Sequence, residues 1–142
     1  MRTWKKNEIA MYENIVGAVS VLDGLAMAKE KFSRYDCFNE KVVVELKVRT
    51  DAYGPSKYPT TMIEWDKYKA LTEMVGKIAI YAVQAEGKIY LFNLSRLTKE
   101  DYNFEWSHTS CNTTTHFSNT SKKQKHVGYI EWDKAKVIIN VE

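Results

Sequence analysis

Apolar and polar residues alternate along this chain with periods that distinguish helices from strands. Over residues 7–32, Ile9, Tyr12, Val16, Val19, Leu22 and Ala26 recur at three- and four-residue steps, the spacing of one helix face. Gly17 and Gly24 interrupt that pattern, and a break near Asp23-Gly24 would split it into two helices. Residues 33–38 read as a short strand and Asn39-Glu40 as a turn, leading into the clearest strand of the chain, 41–50. In that strand Val42, Val44, Leu46 and Val48 form one apolar face. Val43, Glu45, Lys47 and Arg49 form the other, apolar at its start and charged at its end. Such a strand is buried on one side and opens into a cleft on the other.

Residues 51–60 hold Pro55, Pro59 and Gly54 and read as a loop. A helix follows over 65–74, with Tyr68 or Leu71 facing inward and Gly76 ending it. Residues 77–83 and 88–92 form a strand pair around Ala85-Glu86-Gly87. The polar stretch 101–125 shows no assignable period, and 127–132 with 136–141 read as a C-terminal β-hairpin around Asp133-Lys134. This order predicts one α/β (α+β) domain spanning residues 1–142, a mixed central sheet flanked by helices.

Composition narrows the class. The chain has 142 residues, 44% hydrophobic and 27% charged, which fits a folded domain and not a disordered one. No apolar run approaches the roughly 18 residues of a membrane span. The basic start, Met1-Arg2-Thr3-Trp4-Lys5-Lys6, has no apolar stretch after it, so no secretory signal is expected. Cys37 and Cys111 are then free thiols of a cytoplasmic protein, and the Asn-x-Ser/Thr matches at Asn93, Asn112 and Asn119 carry no glycan. The net charge of +3 is compatible with a nucleic-acid partner and does not require one. Lys122, Lys123 and Lys125 form a local basic cluster in a polar loop.

The candidate chemistry comes from the pairing of the first two strands. A two-residue turn at Asn39-Glu40 would set Phe38 against Lys41 and Asp36 against Val43. Asp36, Glu45 and Lys47 would then share one face, with Asp36 and Glu45 diagonal neighbours about 7 Å apart or less. Two carboxylates at that spacing can share a hard divalent cation, which takes each oxygen at about 2 Å. A turn of odd length would send Asp36 to the other face. Glu-x-Lys alone is also the mark of an ordinary solvated strand face.

Asp36, eight residues, then Glu45-Leu46-Lys47 on an apolar strand resembles the PD-(D/E)XK nuclease superfamily, in particular its small phage and Holliday-junction-resolvase-like members. Arg34-Tyr35-Asp36, Val43-Val44-Glu45-Leu46-Lys47-Val48-Arg49 and Thr61-Met62-Ile63-Glu64-Trp65-Asp66-Lys67-Tyr68 carry the likeness. Tyr35 stands where the motif has proline, and one clear strand, not two, precedes the Glu45 strand. The resemblance implies a restriction-endonuclease-like core and Mg²⁺- or Mn²⁺-dependent cleavage of nucleic acid, with DNA as the favoured substrate of an endonuclease. It implies that Asp36 and Glu45 bind the metal, with the Leu46 carbonyl as a further ligand, and that Lys47 assists the attacking water. A helix glutamate, Glu13 or next Glu8, would join the metal shell. It also implies a phage-encoded protein in a bacterial host, and a homodimer if both strands are cut.

Around such a site, Arg49, Lys57, Lys67, Lys122, Lys123 and Lys125 are the candidate nucleic-acid contacts, with Tyr53 and Tyr58 placed to stack on a base. His108, Cys111 and His116 match no zinc spacing, and nothing beside Cys111 would activate it as a nucleophile. The rival from another class is a non-catalytic nucleic-acid-binding or assembly protein that keeps the same fold.

Overall fold

In a computed structural model that describes residues 2–96, 106–112 and 122–141, the first helix stops early. α1 covers Lys6–Ile15, and the Val16 N–H bonds back to the Tyr12 carbonyl. Gly17 follows at φ 73, the left-handed backbone that ends helices. The helix expected to run on to residue 32 is replaced by a 3₁₀ turn, Ser20–Leu22, and a two-residue strand, β1 (Ala26–Met27). The buried face is accordingly Met11 and Ile15, one turn apart, while Ile9 is 38% exposed. Past Gly17 the helical period no longer describes the chain, so the apolar spacing read from Val16 onward belonged to a loop.

β2 (Cys37–Phe38) pairs antiparallel with β3 (Val42–Val48), and the observed register differs from the expected one by two residues: Phe38 lies opposite Val43, not Lys41. The reason is local. A two-residue mirror-type turn needs positive φ at the first or at both of its central residues, and neither Asn39 nor Glu40 has it. Instead Asn39 Oδ1 accepts the Lys41 and Val42 N–H groups at 2.7 and 2.9 Å, and Asn39 Nδ2 donates to the Val21 and Asp23 carbonyls. A shift of two preserves the alternation of faces, so Glu45 and Lys47 still oppose the side of the sheet that Val42, Val44 and Leu46 occupy.

β4 (Thr60–Glu64), absent from the sequence reading, leads directly into α2 (Trp65–Thr72). β5 (Ile78–Ala85) then lies parallel to β3, with Glu45 beside Tyr81 and Lys47 beside Val83. Parallel pairing requires a long crossover, and β4 and α2 provide it. β6 (Lys88–Asn93) returns antiparallel through Glu86 and Gly87, both at positive φ, as the two-residue turn demands. β7 (Trp106–Asn112) and β8 (Lys122–Glu131) pair with each other, and β8 also pairs with β4. β9 (Val137–Asn140) is the last strand.

The two sheets run β1-β2-β3-β5-β6-β9 and β4-β8-β7. The fold is therefore α+β with a mostly sheet core and, among the described residues, two α-helices. The expected C-terminal hairpin does not form: β9 pairs with β6, not with β8. Trp132 drives this separation. It opens a 3₁₀ turn, is 5% exposed, and sets its ring against Tyr90 and Phe92, so the chain leaves the small sheet and joins the edge of the large one.

The large sheet is covered on both faces. Val42, Val44, Leu46, Ile80 and Leu91 pack with Met11, Ile15 and Leu22, which makes α1 one outer layer. Val43, Tyr81, Val83 and Phe92 pack with Ile63, Leu71, Ile130 and Trp132, so α2 and the small sheet form the other. Glu45 projects into this second layer. Among the described residues, no helix is long and apolar enough to cross a membrane.

Replacing Asn39 by Ala removes the side chain that sets the β2–β3 register, and each of its hydrogen bonds contributes about 1 kcal/mol. Asn39→Ala should therefore lose about 2 kcal/mol or more in urea denaturation. Unchanged stability would show that the turn does not depend on this side chain.

Candidate metal centre

β3 is an interior strand flanked by β2 and β5, so its backbone is fixed from both sides. Glu45 sits at its middle, 9% exposed and underneath α2. Asp36, 5% exposed, lies one residue before β2. Cys37 is the register partner of Val44, yet the Asp36 N–H also donates to the Val44 carbonyl at 2.8 Å. Two residues thus stand against one, a β-bulge that re-aims the Asp36 side chain. Its Oδ2 accepts the Leu46 N–H at 2.7 Å, and its Oδ1 accepts the Arg2 guanidinium.

The two carboxyl groups are brought together, and the charges respond. Burial, and then the neighbouring Asp36 carboxylate, push Glu45 well above the usual carboxylate range. Lys67, from the first turn of α2, opposes this with its Nζ 3.3 Å from Glu45 Oε2. In return the Glu45 charge raises the pKa of Lys67. Lys47 follows Glu45 on the same face, and its pKa is lowered by burial first and by Arg49 second, with Glu64 and Glu45 acting in the opposite sense. Cys37 stays a thiol because burial, reinforced by Asp36, pushes it to about 12. It is no nucleophile at neutral pH.

Two buried carboxyl groups side by side are oxygen donors of the kind a hard divalent cation takes, and each already has a basic partner, Arg2 on Asp36 and Lys67 on Glu45. Among the described residues no third His, Cys, Asp or Glu joins them. Glu13 is exposed on α1 and Glu8 is half-buried there; that helix covers the opposite face of the sheet. The structure therefore does not bring either helix glutamate to the pair. Leu46 meets Asp36 through its N–H.

The basic candidates separate. Lys67 is at the site. Arg49 turns inward, donating to the Met62 carbonyl at 2.7 Å and reaching the Tyr81 hydroxyl at 3.5 Å, so it ties β4 to the large sheet. Lys57 is exposed on a loop held by Ser56, whose N–H and hydroxyl bond Glu86. Tyr53 and Tyr58 stack at 6.1 Å on the same loop, 59% and 51% exposed. Lys122, Lys123 and Lys125 lie in strand β8, not in the expected loop. Their side chains, and those of His108 and Cys111 in β7, are not among the described ones, and His116 lies outside the described residues. Arg2 is a member of the cluster that no sequence motif marked. Glu64, whose charge opposes the lowering of the Lys47 pKa, ends β4 inside the stretch Thr61 to Tyr68 that carries the family likeness. Arg2 carried no signal beyond a basic segment with one Trp.

Because folding raises the Glu45 pKa above the ordinary carboxylate value of 4.5, the folded chain holds that proton more tightly than the unfolded chain. The resulting stability is complete below pH 4.5 and is lost as pH rises through the raised value. Glu45→Gln escapes this loss. In metal-free buffer its stability relative to the native chain should climb with pH, by up to about 1.4 kcal/mol per pH unit. Thermal unfolding across pH 4–9 measures this, and a pH-independent difference would refute it. No protein-family model, no curated protein and no solved structure matches the chain.

Proposed function

We propose that this chain is a metal-dependent nuclease that hydrolyses phosphodiester bonds, with DNA as the favoured substrate. The observation that carries the reading is the buried Asp36–Glu45 pair with Lys47 on the same strand face and Lys67 at 3.3 Å from Glu45. Asp36 and Glu45 would hold Mg²⁺ or Mn²⁺, with the Leu46 carbonyl as the further ligand that the family resemblance implies. When bound, the cation supplies Lewis-acid activation of water and neutralises charge on the phosphate.

The chain's own residues do the rest. Lys47, partly desolvated and with a lowered pKa, is suited to orient the attacking water or to hold the phosphate as charge develops. Lys67 holds Glu45 against α2. The restriction-endonuclease-like reading draws support from the order α1, β1, β2, β3, β4, α2, β5, in which β3 and β5 pair parallel and β4 belongs to the other sheet. Lys122, Lys123 and Lys125 on β8, Lys57 on its loop and the Tyr53–Tyr58 stack are the proposed nucleic-acid contacts, and a homodimer would serve cleavage of both strands.

A second reading has its own observation. Both carboxylates already have a basic partner, Arg2 on Asp36 and Lys67 on Glu45, as they would in a nucleic-acid-binding protein that keeps the fold without metal chemistry.

One experiment separates the two. Labelled linear, nicked and branched DNA is incubated with the protein and Mg²⁺, Mn²⁺ or EDTA, beside Lys47→Ala. The nuclease reading expects cleavage that EDTA abolishes and that Lys47→Ala slows by about 10²–10³-fold. DNA binding without cleavage in either metal would favour the second reading.

A further inference from the structure

Arg2 lies 34 residues from Asp36 in sequence and outside every motif, yet the fold sets its guanidinium on that carboxylate. Several other contacts hold it. Nη1 donates to the Tyr35 carbonyl at 3.2 Å, and the guanidinium carbon lies 3.8 Å from the centroid of the Trp4 ring. The Arg2 backbone N–H donates to the Lys29 carbonyl at 3.0 Å. Trp4 is fixed in turn by its indole N–H on the Ala28 carbonyl at 3.2 Å. The guanidinium is thus anchored by groups other than the carboxylate it touches, and the side chain is 18% exposed.

Neutralising Asp36 does not require such a construction. A half-exposed lysine on a helix does that work for Glu45. A guanidinium is a planar fork with five donors, and the Tyr35 and Asp36 contacts engage one nitrogen each. We propose that Arg2 is a phosphate-binding residue of this site, its remaining donors holding a non-bridging oxygen of the substrate phosphodiester. The proposal rests on the nuclease reading. Asp36 and Glu45 would hold the cation, and a phosphate that it activated would lie beside Asp36, where the guanidinium is already seated. Planar N–H forks are the preferred partners of phosphate, and a stacked guanidinium keeps its orientation when the carboxylate turns to the metal.

The test uses the full chain, Arg2→Gln and Arg2→Lys, with circular dichroism to establish folding. Anisotropy of a labelled forked DNA oligonucleotide in Ca²⁺ reads substrate binding, and calorimetry reads Mn²⁺ binding. Arg2→Gln should bind the DNA about tenfold more weakly, and its slope of log affinity against log salt should fall by about 0.9, the loss of one phosphate contact. Its Mn²⁺ affinity should be unchanged or higher, since a positive charge beside Asp36 has gone. Arg2→Lys keeps the charge without the fork and should recover only part of the loss. Should Arg2→Gln fail to fold, DNA binding by Arg2→Lys equal to that of the native chain would overturn the proposal. DNA affinity and salt slope unchanged in Arg2→Gln would also overturn it, as would a fall in Mn²⁺ affinity alone, the mark of a residue that merely props Asp36. A native chain that binds neither DNA nor Mn²⁺ would end the nuclease reading together with this one. A native chain that binds both, with Arg2→Gln identical to it, would end only the role of Arg2.

Discussion

Two carboxylates placed side by side beneath a helix repel each other and have lost most of their water. The middle of this molecule is arranged around that constraint. Asp36 is met by a backbone N–H and a guanidinium, and Glu45 by a lysine and a raised proton affinity. Each basic partner offsets the charge of one member of the pair. What holds the carboxylates in place is the rigidity of their supports: an interior strand for Glu45 and a bulge locked by its own hydrogen bonds for Asp36. A structure that accepts such an arrangement keeps a local conflict that packing alone would have eliminated.

The parts of this architecture that could be read in the sequence are those set by neighbours along the chain. The β3 strand declares both of its faces through Val42 to Lys47, and the β5–β6 pair declares its turn through Glu86-Gly87. The helix from Trp65 ends close to where Gly76 places its limit. The shared face of Glu45 and Lys47 was also legible, because they stand two apart on one strand. The register itself was not. It depends on Asn39 reaching the Val21 and Asp23 carbonyls, contacts with a segment that had been read as helix.

Long-range partnerships were the least legible. β9 reads as the mate of the strand before it, since Asp133-Lys134 resembles a turn. The burial of Trp132 against Tyr90 and Phe92 carries the chain to β6 instead. The same limitation hid Arg2, whose role is defined by residues more than thirty positions away. The helix glutamates Glu13 and Glu8 were implied by the family likeness alone, and α1 lies on the other face of the sheet. The side of the sheet that α1 covers is decided by Met11 and Ile15, and the sequence pattern had placed the helix face on Ile9 and Tyr12.

The crossover between β3 and β5 has a consequence for how the chain acquires its structure. β4 forms within that crossover, but its hydrogen-bonding partner β8 is made more than sixty residues later. Until β8 and β9 are in place, Ile63 and Phe92 lack Ile130 and Trp132, and both β4 and β6 present open edges. Such non-local pairing slows folding and leaves apolar surface open to intermolecular contact. The layer that covers the carboxylate pair is therefore completed only when β8 and β9 dock, so a chain made only as far as β6 carries its site half-roofed.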